Sequence, residues 1–181
     1  MLNVQLTYER DGGLYPVLTK FGFDFHTDHY QKKLNSDSFL VKAVNRSESN
    51  VLELYCKDEV SFDGCKEFHH LIVHLAKALE ASINDEEAML GYDSLGNPAH
   101  LVTNFQSWSH FLDQAKHRSM EGYTVEVYDG KRLLGRGIMV QADLATGDEQ
   151  PVTKTPYCTI ISAEGEETFL GDHLKIIPVV E

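Results

Sequence analysis

A chain of 181 residues, 42% apolar and rich in aromatics, is long enough to bury a core without disulfide staples and unlike a wholly disordered one. Its net charge is −12, with nine basic and fifteen acidic residues before residue 91 and seven and thirteen from there on, so the acidity is spread along the chain and is not a tail. Binding a nucleic-acid backbone needs a local basic stripe; the densest basic runs, Lys32-Lys33 and Lys131-Arg132 with Arg136, are too small for one, and no apolar run is long enough to span a bilayer.

LNVQLTYE (2–9) alternates, with Leu2, Val4, Leu6 and Tyr8 on one side, and predicts a half-buried strand. Asp11-Gly12-Gly13 is turn chemistry. Over 14–26, Val17, Thr19, Phe21, Phe23 and Phe25 share a side of an extended chain, which predicts a second strand in an antiparallel hairpin with the first; Pro16 then belongs near its start or on an edge. HTDHYQKKLNSD (26–37) is polar and predicts a connection with a short helical piece. Strands are predicted over 38–45 and 51–57, separated by the turn Arg46–Asn50.

A helix is predicted at about 66–82, where Phe68, Leu71, Ile72, Leu75 and Leu79 form one apolar arc. Asn84-Asp85-Glu86-Glu87 can start a short helix, and Gly91–His100 reads as a long loop. A second main helix follows over 105–119, capped by Thr103 or Asn104, with Trp108, Phe111, Leu112 and Ala115 at helical spacing. From Tyr123 the pattern is strand-rich. Asp129-Gly130 signals a hairpin, Gly135 and Gly137 a bend or bulge, and DLATGDEQPVTKT (143–155) a polar loop. Strands then run over 156–163 and in one or two further pieces to the end, enough to curl into a small barrel or roll.

Strands and helices are segregated, which predicts an α+β fold. An N-terminal antiparallel sheet of about four strands is covered by one or two helices and followed by a β-rich unit of four or five short strands. The corresponding division is 1–119 and 120–181, two parts that can share one core.

Four constellations carry chemistry. His70 and His74 lie at i and i+4 on the polar arc of the first long helix, a spacing that can bind zinc but that needs a third ligand. They lack the glutamate of HExxH, since Leu71 follows His70, and Lys77 lies beside them. Asp24, His26 and His29, with Asp28, can hold a divalent ion or move protons. Cys65 near a helix start, one turn from His69, is the best nucleophile–base pair. Tyr92, Asp93, Asn97 and His100 in the long loop offer a binding surface. No GxSxG elbow, phosphate-binding glycine loop or CxxC occurs.

With no complete catalytic set, the reading is a non-catalytic acidic interaction module, of inhibitor, immunity or accessory type, with a basic or polar protein partner and no cofactor. The alternatives are a metal-dependent or histidine-based enzyme using either histidine cluster with a divalent metal, and an acidic decoy for a DNA-binding protein. Three scattered cysteines, and a start that runs from Met1 straight into strand alternation, predict a reducing, cytoplasmic setting.

Overall fold

The computed structural model describes residues 1–9, 13–36, 39–57, 59–144 and 155–179. Among them the fold is α+β, with antiparallel sheets and three helices, and the chain divides into two units, Met1–Phe105 and Gln106–Glu181.

The first unit is built on β1 (Leu2–Thr7), β2 (Asp24–His26), β3 (His29–Lys33), β4 (Leu40–Arg46), β5 (Val51–Cys56) and β6 (Ser82–Asn84), in the spatial order β2-β3-β4-β5-β1-β6. The alternation of β1 does what its sequence predicts: Leu2, Val4 and Leu6 are buried in one core with Leu52 and Leu54 of β5 and Val41 and Ala43 of β4. The sheet has six strands where about four were expected, and β1 lies inside it between β5 and β6.

Residues 14–26 do not form the expected second strand. They begin as α1 (Leu14–Lys20), which buries Leu14 and Leu18, with Val17 and Phe21 partly buried beside them. Those four fall at i, i+3, i+4 and i+7, a helical stripe that competes with the period-2 reading. Pro16 sits in the first turn, where a missing N–H costs nothing. The stop is written in Gly22: at φ +79° it lets Gly22 N–H bond to Thr19 and Phe23 N–H to Leu18, closing a Schellman motif. Within the polar stretch 26–37, His29–Lys33 form β3 where a connection with a helical piece was expected, because Thr27-Asp28 turns the chain and β3 pairs back onto β2.

α2 (Phe62–Leu79) starts four residues before its predicted boundary. Ser61 caps it, its Oγ accepting from Gly64 N–H at 3.1 Å. Phe68, Leu71, Ile72 and Leu75 are buried on the sheet side, as the apolar arc requires. Glu80 ends the helix in the left-handed region at φ +51°, with Ala81 N–H on the Ala76 carbonyl at 2.9 Å.

The second unit contains most of α3 (Phe105–Arg118), then β9 (Thr124–Asp129), β10 (Arg132–Asp143), β11 (Tyr157–Ser162), β12 (Gly165–Leu170) and β13 (Leu174–Pro178). The strand order is β12-β11-β10-β9-β13, an open sheet and not the barrel the sequence allowed: the described β12 and β13 are its two edges. Its core holds Val125, Val127, Met139, Cys158, Ile160 and Ile176. The bulge expected at the glycines of β10 is present, as the register slips between Leu133 and Gly135. Gly137 has a separate reason to be glycine, since a Cβ there would run into the Ile161 carbonyl. On α3, Trp108 is buried but Phe111 and Ala115 are exposed; the stripe is centred on Phe105, Trp108 and Leu112, which puts those two past its edge. Most of the predicted polar loop, 145–154, and most of the Asp11-Gly12-Gly13 turn lie outside the described residues.

Candidate functional site

The stretch read as a short helix plus a long loop is β-structured. After β6 a tight turn leads into β7 (Met89–Tyr92), which pairs with β8 (Pro98–His100). Its tip is held by one side chain. Asp93 Oδ1 accepts from Leu95 N–H and Asn97 N–H, both at 2.9 Å, and Oδ2 accepts from the Asn97 amide at 3.1 Å. Backbone bonds from Asp93 N–H to Asn97 O and from Gly96 N–H to Asp93 O close the same turn. The Asn97 N–H and amide, followed by the Leu95 and Gly96 N–H groups, hold the Asp93 carboxyl below its ordinary range against the opposing effect of burial.

This arrangement divides the four predicted binding residues by role. Asp93 and Asn97 are structural ties. His100 is a strut, its Nδ1–H donating to the Asp85 carbonyl at 3.0 Å. Tyr92 is presented to solvent, 59% exposed, with Met89 44% exposed and Leu95 at the tip 84% exposed. Leu95 carries no motif, so only the tied turn singles it out.

The root of the hairpin is pinned by a residue that sequence reading missed. Asp85 is 6% exposed, and its carboxylate accepts from Val102 N–H and Thr103 N–H at 2.7 Å each and from the Thr103 hydroxyl at 2.8 Å. A buried carboxylate is tolerated when donors saturate it in this way. No spacing rule links Asp85 to residues 17 and 18 positions later.

Of Asp24, His26 and His29, the structure brings only the two histidines opposite one another. The β2–β3 register sets Asp24 opposite Gln31 and His26 opposite His29, on the face turned away from the core, with the two imidazoles 6.2 Å apart. His29 is already engaged on both ring nitrogens: Nδ1 lies 2.8 Å from Asp28 Oδ1, and Nε2 meets the Gln31 amide. A neutral imidazole that donates to a carboxylate and accepts from an amide has no lone pair left for a metal. The same bond to His29 lowers the pKa of exposed Asp28.

On α2, His70 and His74 are exposed with ring centroids 6.3 Å apart, and His74 Nδ1–H donates to the His70 carbonyl at 2.7 Å. Glu67, one turn before His70 on the same helix, turns elsewhere. Its carboxylate accepts from Asn35 N–H and from Ser36 N–H and hydroxyl, at 2.7–2.9 Å. Burial opposes its charge, but those donors win and hold it below the ordinary carboxylate value. Cys65 is buried at 5% exposure. The His69 ring is fixed, Nδ1–H donating to Leu101 O at 2.6 Å and the ring stacking on Phe105 at 4.0 Å.

Among the described residues no group of three or more His, Cys, Asp or Glu is placed to hold a metal ion, and no helix is long and apolar enough to cross a membrane. No protein-family model matches the chain, and no curated protein matches it.

Proposed function

We propose that this protein is a non-catalytic interaction module that engages a protein partner through the β7–β8 hairpin. The observation that carries the reading is Leu95, 84% exposed at the apex of a turn whose conformation Asp93 enforces. A large apolar side chain held rigidly in water gains nothing for the fold, but binding loses less entropy when the contact residue is already ordered. Tyr92 beside it is a residue type enriched at energetically dominant contacts. The partner's surface is an apolar recess with a basic rim. Between Asn84 and Asn97 the chain exposes Glu86 and Glu87, buries Asp85 and Asp93, and has no Lys or Arg, and such a segment steers towards positive charge. The proposal places the protein in the cytoplasm, since three buried cysteines without a disulfide suit a reducing compartment.

The test is site-specific photo-crosslinking in the native cell, with the photoreactive residue at position 95 and, as a control, at Val73 on the exposed side of α2. The expected result is one dominant adduct from position 95 that is absent from position 73 and is competed by unlabelled protein but not by its Leu95→Asp variant. Equal adduct patterns from both positions, or competition by Leu95→Asp as good as by the unaltered chain, would overturn the reading.

A further inference from the structure

We infer that the outer face of the second sheet joins this chain to a second copy of itself, about a two-fold axis that runs along the strands between β9 and β10. The face is apolar without being core. Val125, Val127, Cys158 and Ile160 point to the other side and are buried, whereas Ile138, Val140, Ile161 and Ile177 are 36–49% exposed. The register lays these side chains in rows across the strands. Ile138 stands opposite Ile161 on β11 and opposite Thr124 on β9. Val179, whose N–H donates to the Thr124 carbonyl at 2.9 Å, extends that row past the end of β13. Val140 sits in the register shift of the β10–β11 pair, one step along. In the next row Arg136 of β10 stands opposite Glu126 of β9, and Glu126 opposite Ile177 of β13.

A contiguous exposed apolar stripe marks an interaction site, and the order of these rows fits a second copy. Rotation about the stated axis exchanges β10 with β9 and β11 with β13, and leaves each row in place. Arg136 of each copy then meets Glu126 of the other. Ile138 meets Thr124, Ile161 meets Val179, and Leu133 meets Tyr128 one row further on. The remaining charges of this face, Asp143, Glu166 and Lys175, fall at its margins, where the copy has no described strand opposite them. A two-fold contact requires this reciprocity. It also lets a chain of net charge −12 meet itself, because the charges inside the contact pair with opposite ones. The two sheets lie with their strands nearly aligned, as in a sandwich. Four strands of each copy overlap, about 4.8 Å apart and about six residues long, which gives a contact of roughly 19 by 20 Å. With side-chain relief that is on the order of 600 Å² per copy, or about 1,200 Å² in all, the lower end of specific interfaces. The dimer therefore exchanges with monomer.

The surface is separate from the β7–β8 hairpin and does not rest on it. Sedimentation velocity of the full chain over a concentration series tests it. Monomer should give way to dimer as the concentration rises, and Ile138→Lys should abolish the dimer. Arg136→Glu and Glu126→Arg each set like charges together at both symmetric contacts, and each should weaken dimerisation by about tenfold or more. Mixed in equal amounts, these two variants should form a heterodimer of near-original strength, because each chain supplies the charge the other now needs. The like charges within each chain persist in the mixture, so variants that had merely lost their fold would not recover. Leu95→Asp should leave the dimer intact, which tells a failed hairpin from a failed sheet contact. A monomer at every concentration, a dimer indifferent to Ile138→Lys, or a mixture as monomeric as its two components would overturn the inference.

Discussion

Asp85→Ala removes the acceptor of three short bonds that tie the hairpin's root to the segment leading into α3. A hydrogen bond to a charged group contributes about 1.5–3 kcal/mol. Val102 is half-buried, so its N–H keeps most of that loss, about 2 kcal/mol. Thr103 is exposed, and water recovers roughly half of each of its two bonds, leaving about 2 kcal/mol between them. Alanine no longer has to keep a carboxylate dry, which returns about 1–2 kcal/mol. The net expectation is a destabilisation of about 2–3 kcal/mol, with Asp85→Asn costing about half as much because it keeps an acceptor without the charge. Urea unfolding reads this as a lower midpoint at unchanged slope. Hydrogen exchange at the Val102 amide gives the local readout and should accelerate by a factor of about ten or more. A loss under about 0.5 kcal/mol, or unchanged exchange at Val102, would refute the keystone role given to Asp85.

Glu80→Gly is expected to stabilise the first unit by about 0.5–1 kcal/mol in the same assay, because glycine takes the left-handed φ of +51° without the Cβ clash that glutamate bears there. Glu67→Gln tests the clamp on Asn35 and Ser36. Since the folded pKa of Glu67 is lowered from 4.5, its contribution is fully present above that value and is lost as the pH falls through the folded one. The stability gap between Glu67→Gln and the unaltered chain should therefore be seen at pH 7 and shrink as the pH falls below 4.5 towards the lowered folded value. A gap constant from pH 7 to 3 would count against it. Cys158 is buried and its thiol is pushed up to about 11, so iodoacetamide at pH 8 should leave it unmodified in the native chain and alkylate it in urea, as read by peptide mass spectrometry.

What could be read ahead of the structure were the elements whose apolar period has one solution. β1, β4, β5 and the buried arc of α2 follow from alternation and from a single helical stripe, and the bulge of β10 from its glycines. Residues 14–21 satisfied two periods at once, and the choice fell to packing: as a helix the segment lays Leu14 and Leu18 into the core beside α2, and Gly22 ends it. The candidate site was legible only in part. Tyr92, Asp93, Asn97 and His100 were marked by their place in a long loop, but their division into ties, a strut and a contact residue depends on which groups Asp93 and His100 meet.

By itself the sequence determined the α+β class, the diffuse acidity and the inward side of β1, β4, β5 and α2, because these depend on composition and on an unambiguous local period. Only the tertiary structure decided that β6 lies beside β1 in the sheet, that Asp85 reaches Val102 and Thr103, and that Asn3 meets Glu87. Those contacts join residues far apart in the chain, and their partners are chosen by how the packed elements meet, which no local pattern encodes.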